Sequence, residues 1–322
     1  MNYVLLNNYD STRKWMRQIR KKSVENENGN ASKATLKSCN FALQKFVEYT
    51  KKTPDQLIHD AKESVKKCGS TEELNDQLDD FWDKYPSKTS ARQIFALIKS
   101  FYSANGIKVT SKTPSMPKMR GNVHIPSSNE IRMLCDVANI AHRSWILVNN
   151  YLGLRIGGIT HLTLADFKPE NWVKDLPLYP VRIRREVSGT FEYNTWIGYD
   201  AVQLLKTYVK DYKIGLNDYM WNYGETYLNQ KFKRYAKKAG LIKSSKGLSP
   251  LFTHCLRKRR QTLQESCKTN LNWVDHLIGH IPRGANGRSY SFPEDASPDD
   301  LYGEVLKCLP KLEIYGHHPE SP

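Results

Sequence analysis

The chain has 322 residues, more than one compact core normally takes, and 49 Lys+Arg against 33 Asp+Glu give it a formal net charge of +16. Such a balance favours a polyanionic partner and salt-sensitive affinity, with an ordinary solvated basic surface as the plainer alternative. Six cysteines (Cys39, Cys68, Cys135, Cys255, Cys267, Cys308) lack CxxC spacing, and no apolar run is long enough for a signal peptide or a bilayer span. Zinc ribbons, disulfide frameworks and membrane insertion are therefore set aside, and mostly buried reduced thiols in a reducing cell interior are expected.

From Asn8 to about Val109 the pattern is helical. Leu36, Cys39, Leu43, Phe46 and Val47 recur at helical spacing, with Lys33, Lys37, Gln44 and Lys45 on other faces. Thr53-Pro54-Asp55-Gln56 combines an N-cap, a proline at the first helical position and a capping-box glutamine. A third helix starts at Thr71-Glu72-Glu73-Leu74 and runs through Trp82 toward Pro86. A fourth carries Ile94, Leu97, Ile98, Phe101 and Tyr102 and stops at Asn105-Gly106. These four predict a small all-α domain over residues 1–110.

Ser111 to Arg120 contains two prolines and three basic residues without apolar period, and residues 111–126 are read as an extended linker. The second domain spans 127–322. Serines at 127 and 128 cap a helix with Ile131, Leu134 and Val137, and an apolar helix from Trp145 to Tyr151 leads into Gly153-Leu154-Arg155. Between Val181 and Ile197, alternating Val181, Arg182, Ile183 and Arg184, a turn at Ser188-Gly189 and a β-branched, aromatic run predict a basic β-hairpin. Helices resume over Asp200–Tyr208, over Leu228–Ala239 and from about Thr253. A last one starts at Ser297-Pro298-Asp299-Asp300, with Leu301, Val305, Leu306 and Leu309 on its apolar stripe. The fold class expected is mainly α with a small β-hairpin in the second domain.

Chemistry concentrates near the C-terminus. His254-Cys255-Leu256-Arg257, Leu277-Ile278-Gly279-His280 and Tyr290 supply cations for a phosphate, groups that move a proton, and a hydroxyl nucleophile, without a metal.

With Leu152-Gly153-Leu154-Arg155-Ile156-Gly157 upstream, this ordered set resembles the tyrosine recombinase (phage integrase) family, most of all its archaeal and viral integrases. The likeness implies a two-domain DNA clamp: a core-binding helical domain at 1–110, a linker at 111–126, and a catalytic domain at 127–322. It implies that Arg155 and Arg257 grip the non-bridging oxygens of a scissile phosphate, a task suited to bidentate guanidinium. It further implies that His254 accepts or positions a proton, His280 hydrogen-bonds the phosphate, and Tyr290 attacks to form a 3′-phosphotyrosyl link with a free 5′-hydroxyl. No cofactor, ATP or obligatory metal is implied. Double-stranded DNA, a tetrameric synapse of identical protomers and a nucleoid-associated, cytoplasmic setting are.

Two departures stand out. The family's hairpin lysine, the general acid to the leaving 5′-oxygen, is absent; Arg184 and Arg185 lie where a minor-groove contact or substitute acid belongs, Lys174 is a distant substitute, and arginine donates protons poorly. Gly158 stands where the family often has an acidic residue supporting the site. Plainer alternatives exist for each residue: Arg155 pairing with Asp166, Arg257 on a solvated basic helix face, His254 and His280 as ordinary satisfied histidines. The C-terminal helix either packs in its own domain or, as family members do, docks onto a neighbouring protomer. Type IB topoisomerase-like relaxation and non-catalytic architectural DNA binding are the competing functions.

Overall fold

Capping chemistry sets several helix starts in the computed structural model, which describes residues 8–25, 33–86, 88–113, 124–242, 251–280, 298–308 and 312. The chain divides into two compact units, Met1–Met119 and Arg120–Pro322. In the first, α1 (Asp10–Glu25), α2 (Lys33–Thr50), α3 (Pro54–Cys68), α4 (Glu72–Lys84) and α5 (Lys88–Ala104) surround one core. The expected capping box opens α3: Thr53 accepts from the Gln56 backbone N–H, and Gln56 Oε1 accepts from Thr53 N at 2.8 Å. Trp15, Phe46, Phe95, Phe101 and Tyr102 fill the interior.

Helix α1 goes beyond the four helices expected here. Its sequence is strongly basic, and among its described side chains Trp15 and Met16 are the buried hydrophobics. Trp15 Nε1 donates to Ser100 Oγ on α5 at 3.1 Å, and Ser11 donates to the Asp55 carboxylate, so long-range partners rather than helical period hold this element.

The second unit opens with α6 (Ser128–Val137), whose capping box joins Ser127 and Glu130, and α7 (Ile140–Leu152), capped by Asn139. Helix α7 is buried on nearly all faces, its Trp145–Val148 run in the core and His142, Ser144, Asn149 and Asn150 buried with it. The short α8 (Ile156–Ile159) and two 3-10 turns (Leu164–Phe167, Pro169–Val173) lead to β1 (Leu178–Ile183). Strand β2 (Tyr193–Gly198) pairs with it antiparallel, Leu178 opposite Gly198 and Ile183 opposite Tyr193.

The hairpin is present, but its connection is not the Ser188-Gly189 turn. A helical turn, α9 (Arg185–Ser188), intervenes, closed by Gly189 at φ 73°. Ser188 Oγ accepts from Thr190 N and donates to Phe191 O at 2.6 Å, so the serine ties the connection to itself. Helices α10 (Tyr199–Tyr212), α11 (Glu225–Lys238) and α12 (His254–Ser266) complete the main core around α7, and α13 (Leu271–Leu277) places Leu277 in a smaller apolar cluster.

The last described helix, α14 (Pro298–Lys307), packs within this unit: Leu301 and Val305 meet Leu178, Trp196 and Leu277, and Tyr302 lies edge-on to Trp196 at 6.1 Å. Cys308, just beyond it, is disulfide-bonded to Cys267 at the end of α12, with Cα atoms 6.0 Å apart. The expectation of reduced thiols is corrected for this pair. Its 41-residue separation leaves no local spacing to read, and only the return of α14 brings the two together. Among the described residues no helix is long and apolar enough to cross a membrane.

Candidate active site

Helix α7 ends at Gly153, which adopts φ 62° and lets the chain reverse. A Cβ there would lie 2.9 Å from Arg260 Cβ, so close packing as well as conformation requires glycine. Two residues on, Arg155 precedes α8, exposed, and its Nη1 donates to Ser188 O at 3.3 Å. The first arginine is thus held by the backbone of the hairpin connection.

His254 and Arg257 sit three residues apart in the first turn of α12, on one face. Arg257 is only 3 % exposed, and its Nη1 donates to Gly153 O at 2.8 Å, joining the two arginine segments. Its Nη2 is buried with no hydrogen-bond partner. Burial, followed by the charge of Arg155, pushes the Arg257 guanidinium down to about 10. An anion at this point would oppose that lowering by its charge.

His280 follows the end of α13. Burial and the Arg257 charge push its imidazole below the usual value, Asp275 opposes them, and Arg155 adds to the lowering. The exposed His254 ring is lowered by desolvation first, then by Arg257, Arg155 and Lys258. Mutual influence places Arg155, His254, Arg257 and His280 in one electrostatic neighbourhood. Tyr290 lies outside the described residues.

The alternative pairing of Arg155 with Asp166 is not what the fold makes. Arg184 takes Asp166, Nε to Oδ1 at 2.8 Å and Nη2 to Oδ2 at 3.1 Å, and also reaches His161 O and Glu186. Asp166 in turn accepts from Thr163 N at 2.9 Å. Arg184 is therefore a structural clamp between the hairpin and the first 3-10 turn. Arg185 opens α9 and is exposed, whereas Lys174 ends the second 3-10 turn and donates to Asn171 Oδ1 at 3.0 Å.

The basic run at 257–260 is no solvated face, because Arg257, Arg259 and Arg260 are all buried. Arg259 donates to Asn150 Oδ1 at 2.9 Å, Pro126 O at 2.7 Å and Ser128 Oγ at 2.8 Å, fastening α12 to α7 and to the start of α6. Arg260 is fully enclosed, its three guanidinium nitrogens lack hydrogen-bond partners, and desolvation pushes it down to about 10. Tyr193, buried at the start of β2, has an unpartnered hydroxyl and interacts electrostatically with Arg257, Arg155 and Arg260. None of these roles was visible in local pattern, since a charged run reads as surface. Among the described residues, no group of three or more His, Cys, Asp or Glu is placed to hold a metal ion.

No protein-family model and no curated protein matches the chain by sequence. Solved structures match it by fold. A lambda integrase dimer bound to a COC′ core site shares 16% identity, covering 88% of this chain and 99% of that one, with a TM-score of 0.54. A lambda integrase tetramer bound to a Holliday junction shares 16%, covering 89% and 82%, with a TM-score of 0.52. The Tn1549 transposon integrase in complex with transposon right end DNA shares 16%, covering 90% and 98%, with a TM-score of 0.51. The chain thus has the mainly α fold, with its small antiparallel sheet, of these integrases.

Proposed function

We propose that this protein is a site-specific DNA recombinase, an integrase of archaeal or viral type, that cleaves and rejoins DNA through a 3′-phosphotyrosyl intermediate. The observation that carries the proposal is the buried Arg257 Nη2, a donor without a protein partner, beside a second arginine and two histidines. One phosphate oxygen on that nitrogen satisfies it and neutralises the crowded charge. Arg155, exposed and turned by Ser188 O, supplies the second guanidinium.

In the proposed reaction the Tyr290 phenolic oxygen attacks phosphorus and its proton passes to His254, which burial and neighbouring cations favour in the neutral, proton-accepting form. The P–O5′ bond breaks, and the 5′-oxygen leaves as a hydroxyl by taking a proton from solvent water. Return of that hydroxyl, or of one from another strand, reverses the step and conserves the phosphodiester. The partners are double-stranded DNA and further copies of this chain, with residues 1–110 and 127–322 as the two arms of the clamp. Exchange of α14 between protomers would require it to leave Trp196 and Leu277 and its Cys267–Cys308 bond.

The test is incubation with nicked duplex DNA in excess chelator, with denaturing electrophoresis for a protein–DNA adduct. An adduct from the parent that Tyr290→Phe loses supports the proposal; an adduct persisting in Tyr290→Phe removes Tyr290 from it. A second function, architectural DNA binding, is favoured by one observation: Arg184 is engaged by Asp166, in a hairpin whose sequence already lacks a lysine. DNA binding with no adduct on a cognate site would select it. Supercoil relaxation without synapsis would select the topoisomerase-like activity.

A further inference from the structure

Gly158, where an acidic residue would support the site, has no room for one: a Cβ would lie 2.5 Å from Val187 O. Two arginines and two histidines nevertheless crowd together. A carboxylate reaches them from elsewhere, on α13.

The end of α13 is a Schellman turn. Gly279, at φ 67°, donates to His276 O at 2.9 Å, and His280 N donates to Asp275 O at 2.8 Å. That reversal sets the His280 ring beside the Asp275 side chain, with Nδ1 3.4 Å from Oδ1. Asp275 is 6 % exposed, and its charge acts on both His280 and Arg257. The turn is pinned from the hairpin side, where Thr190 Oγ1 donates to Gly279 O at 3.1 Å. Tyr193 Oη would lie 3.0 Å from any Cβ at Gly279, which keeps that position a glycine.

Resting on the recombinase proposal, we infer that Asp275 is the positioning residue of this site, the carboxylate that orients His280 and fixes the proton on its Nδ1. A carboxylate accepts only, so Nδ1 must carry hydrogen to face it. His280 Nε2 then donates to a phosphate oxygen only in the imidazolium form. Asp275 favours that form; Arg257 from α12 and Arg155 before α8 oppose it, and Tyr193 and Thr190 are the polar groups of the hairpin packed against the turn.

The experiment follows the His280 titration by NMR in the full-length, histidine-labelled protein, comparing the parent, Asp275→Asn, Asp275→Ser and the charge-retaining Asp275→Glu. Loss of the carboxylate in Asn and Ser is expected to lower the His280 midpoint by about one pH unit or more, with Glu returning it toward the parent. An unchanged midpoint in the charge-free variants overturns the inference. Single-turnover cleavage gives the functional arm: Asp275→Asn retains DNA affinity, loses roughly tenfold or more in rate, and loses activity at lower pH as pH rises. Should the parent not cleave, the recombinase proposal falls while the NMR titration still decides the role of Asp275.

Discussion

Arg257 donates from Nη1 to the carbonyl oxygen of Gly153, 2.8 Å away, so the buried arginine of α12 is anchored to the backbone two residues before Arg155. The tie works only because Gly153 takes φ 62° and lets the Arg260 side chain pass against it. Gly153→Ala combines left-handed strain with a 2.9 Å clash at Arg260 Cβ. A loss of about 1–3 kcal/mol is expected, read as a lower midpoint in denaturant unfolding.

Arg184 offers a sharper discrimination. Its partner Asp166 is 4 % exposed and keeps both oxygens on Arg184 and Thr163. Arg184→Ala leaves that carboxylate buried without its cation and is expected to destabilise the protein by about 3 kcal/mol. A proton donor to the leaving strand would show the opposite: unchanged stability with slower cleavage.

Two buried groups impose opposing pH dependences on stability. Burial lowers His276 from 6.5 to about 4, so the unfolded chain binds more protons across that window. Stability from His276 is therefore full above about pH 6.5 and falls by about 3 kcal/mol as pH drops toward 4. Burial raises Asp200 from 3.8 to about 6, although Tyr151 donates to it at 2.7 Å. There the folded state binds more protons, and stability falls as pH rises from 4 to 6. The two slopes offset each other in the parent. Asp200→Asn is expected to expose the His276 slope, seen as a steeper loss of thermal midpoint on acidification from pH 6 to 4; an unaltered profile counts against it.

The residues that were legible were those whose signal is local. Thr53 with Gln56 forms its capping box and Ser127 caps its helix because each signal lies within a few consecutive residues; the share of Glu130 in the second cap was not read. The order Arg155, His254, Arg257, His280 marked side chains that the fold does bring together. Long-range partners were not legible: Arg184 found Asp166, Arg259 found Pro126 and Ser128, and Cys267 found Cys308. The link from Asp275 to His280 stood within reach, since a glycine two residues after a helix end announces the reversal that pairs them. The helical turn at 185–188 escaped because Ser188-Gly189 reads equally well as a two-residue turn.

The Cys267–Cys308 bond closes a 41-residue separation, and α14 otherwise rests on a small apolar cluster. Cys308→Ser is expected to cost about 2–4 kcal/mol in oxidising buffer and nothing further once the parent is reduced. Thiol titration of the unreduced, denatured parent should count four reactive cysteines, Cys39, Cys68, Cys135 and Cys255. A count of six contradicts the bond.

The most direct measurement is the identity of the residue that becomes attached to DNA. Adduct formed on nicked duplex in chelator is digested with protease and nuclease, and the nucleotide-bearing peptide is sequenced by mass spectrometry. The label is expected on Tyr290, with Arg155→Ala and Arg257→Ala each abolishing it while DNA binding persists. A label on any other residue contradicts Tyr290 as the nucleophile, and labelling that survives loss of both arginines contradicts a phosphate site built from Arg155 and Arg257.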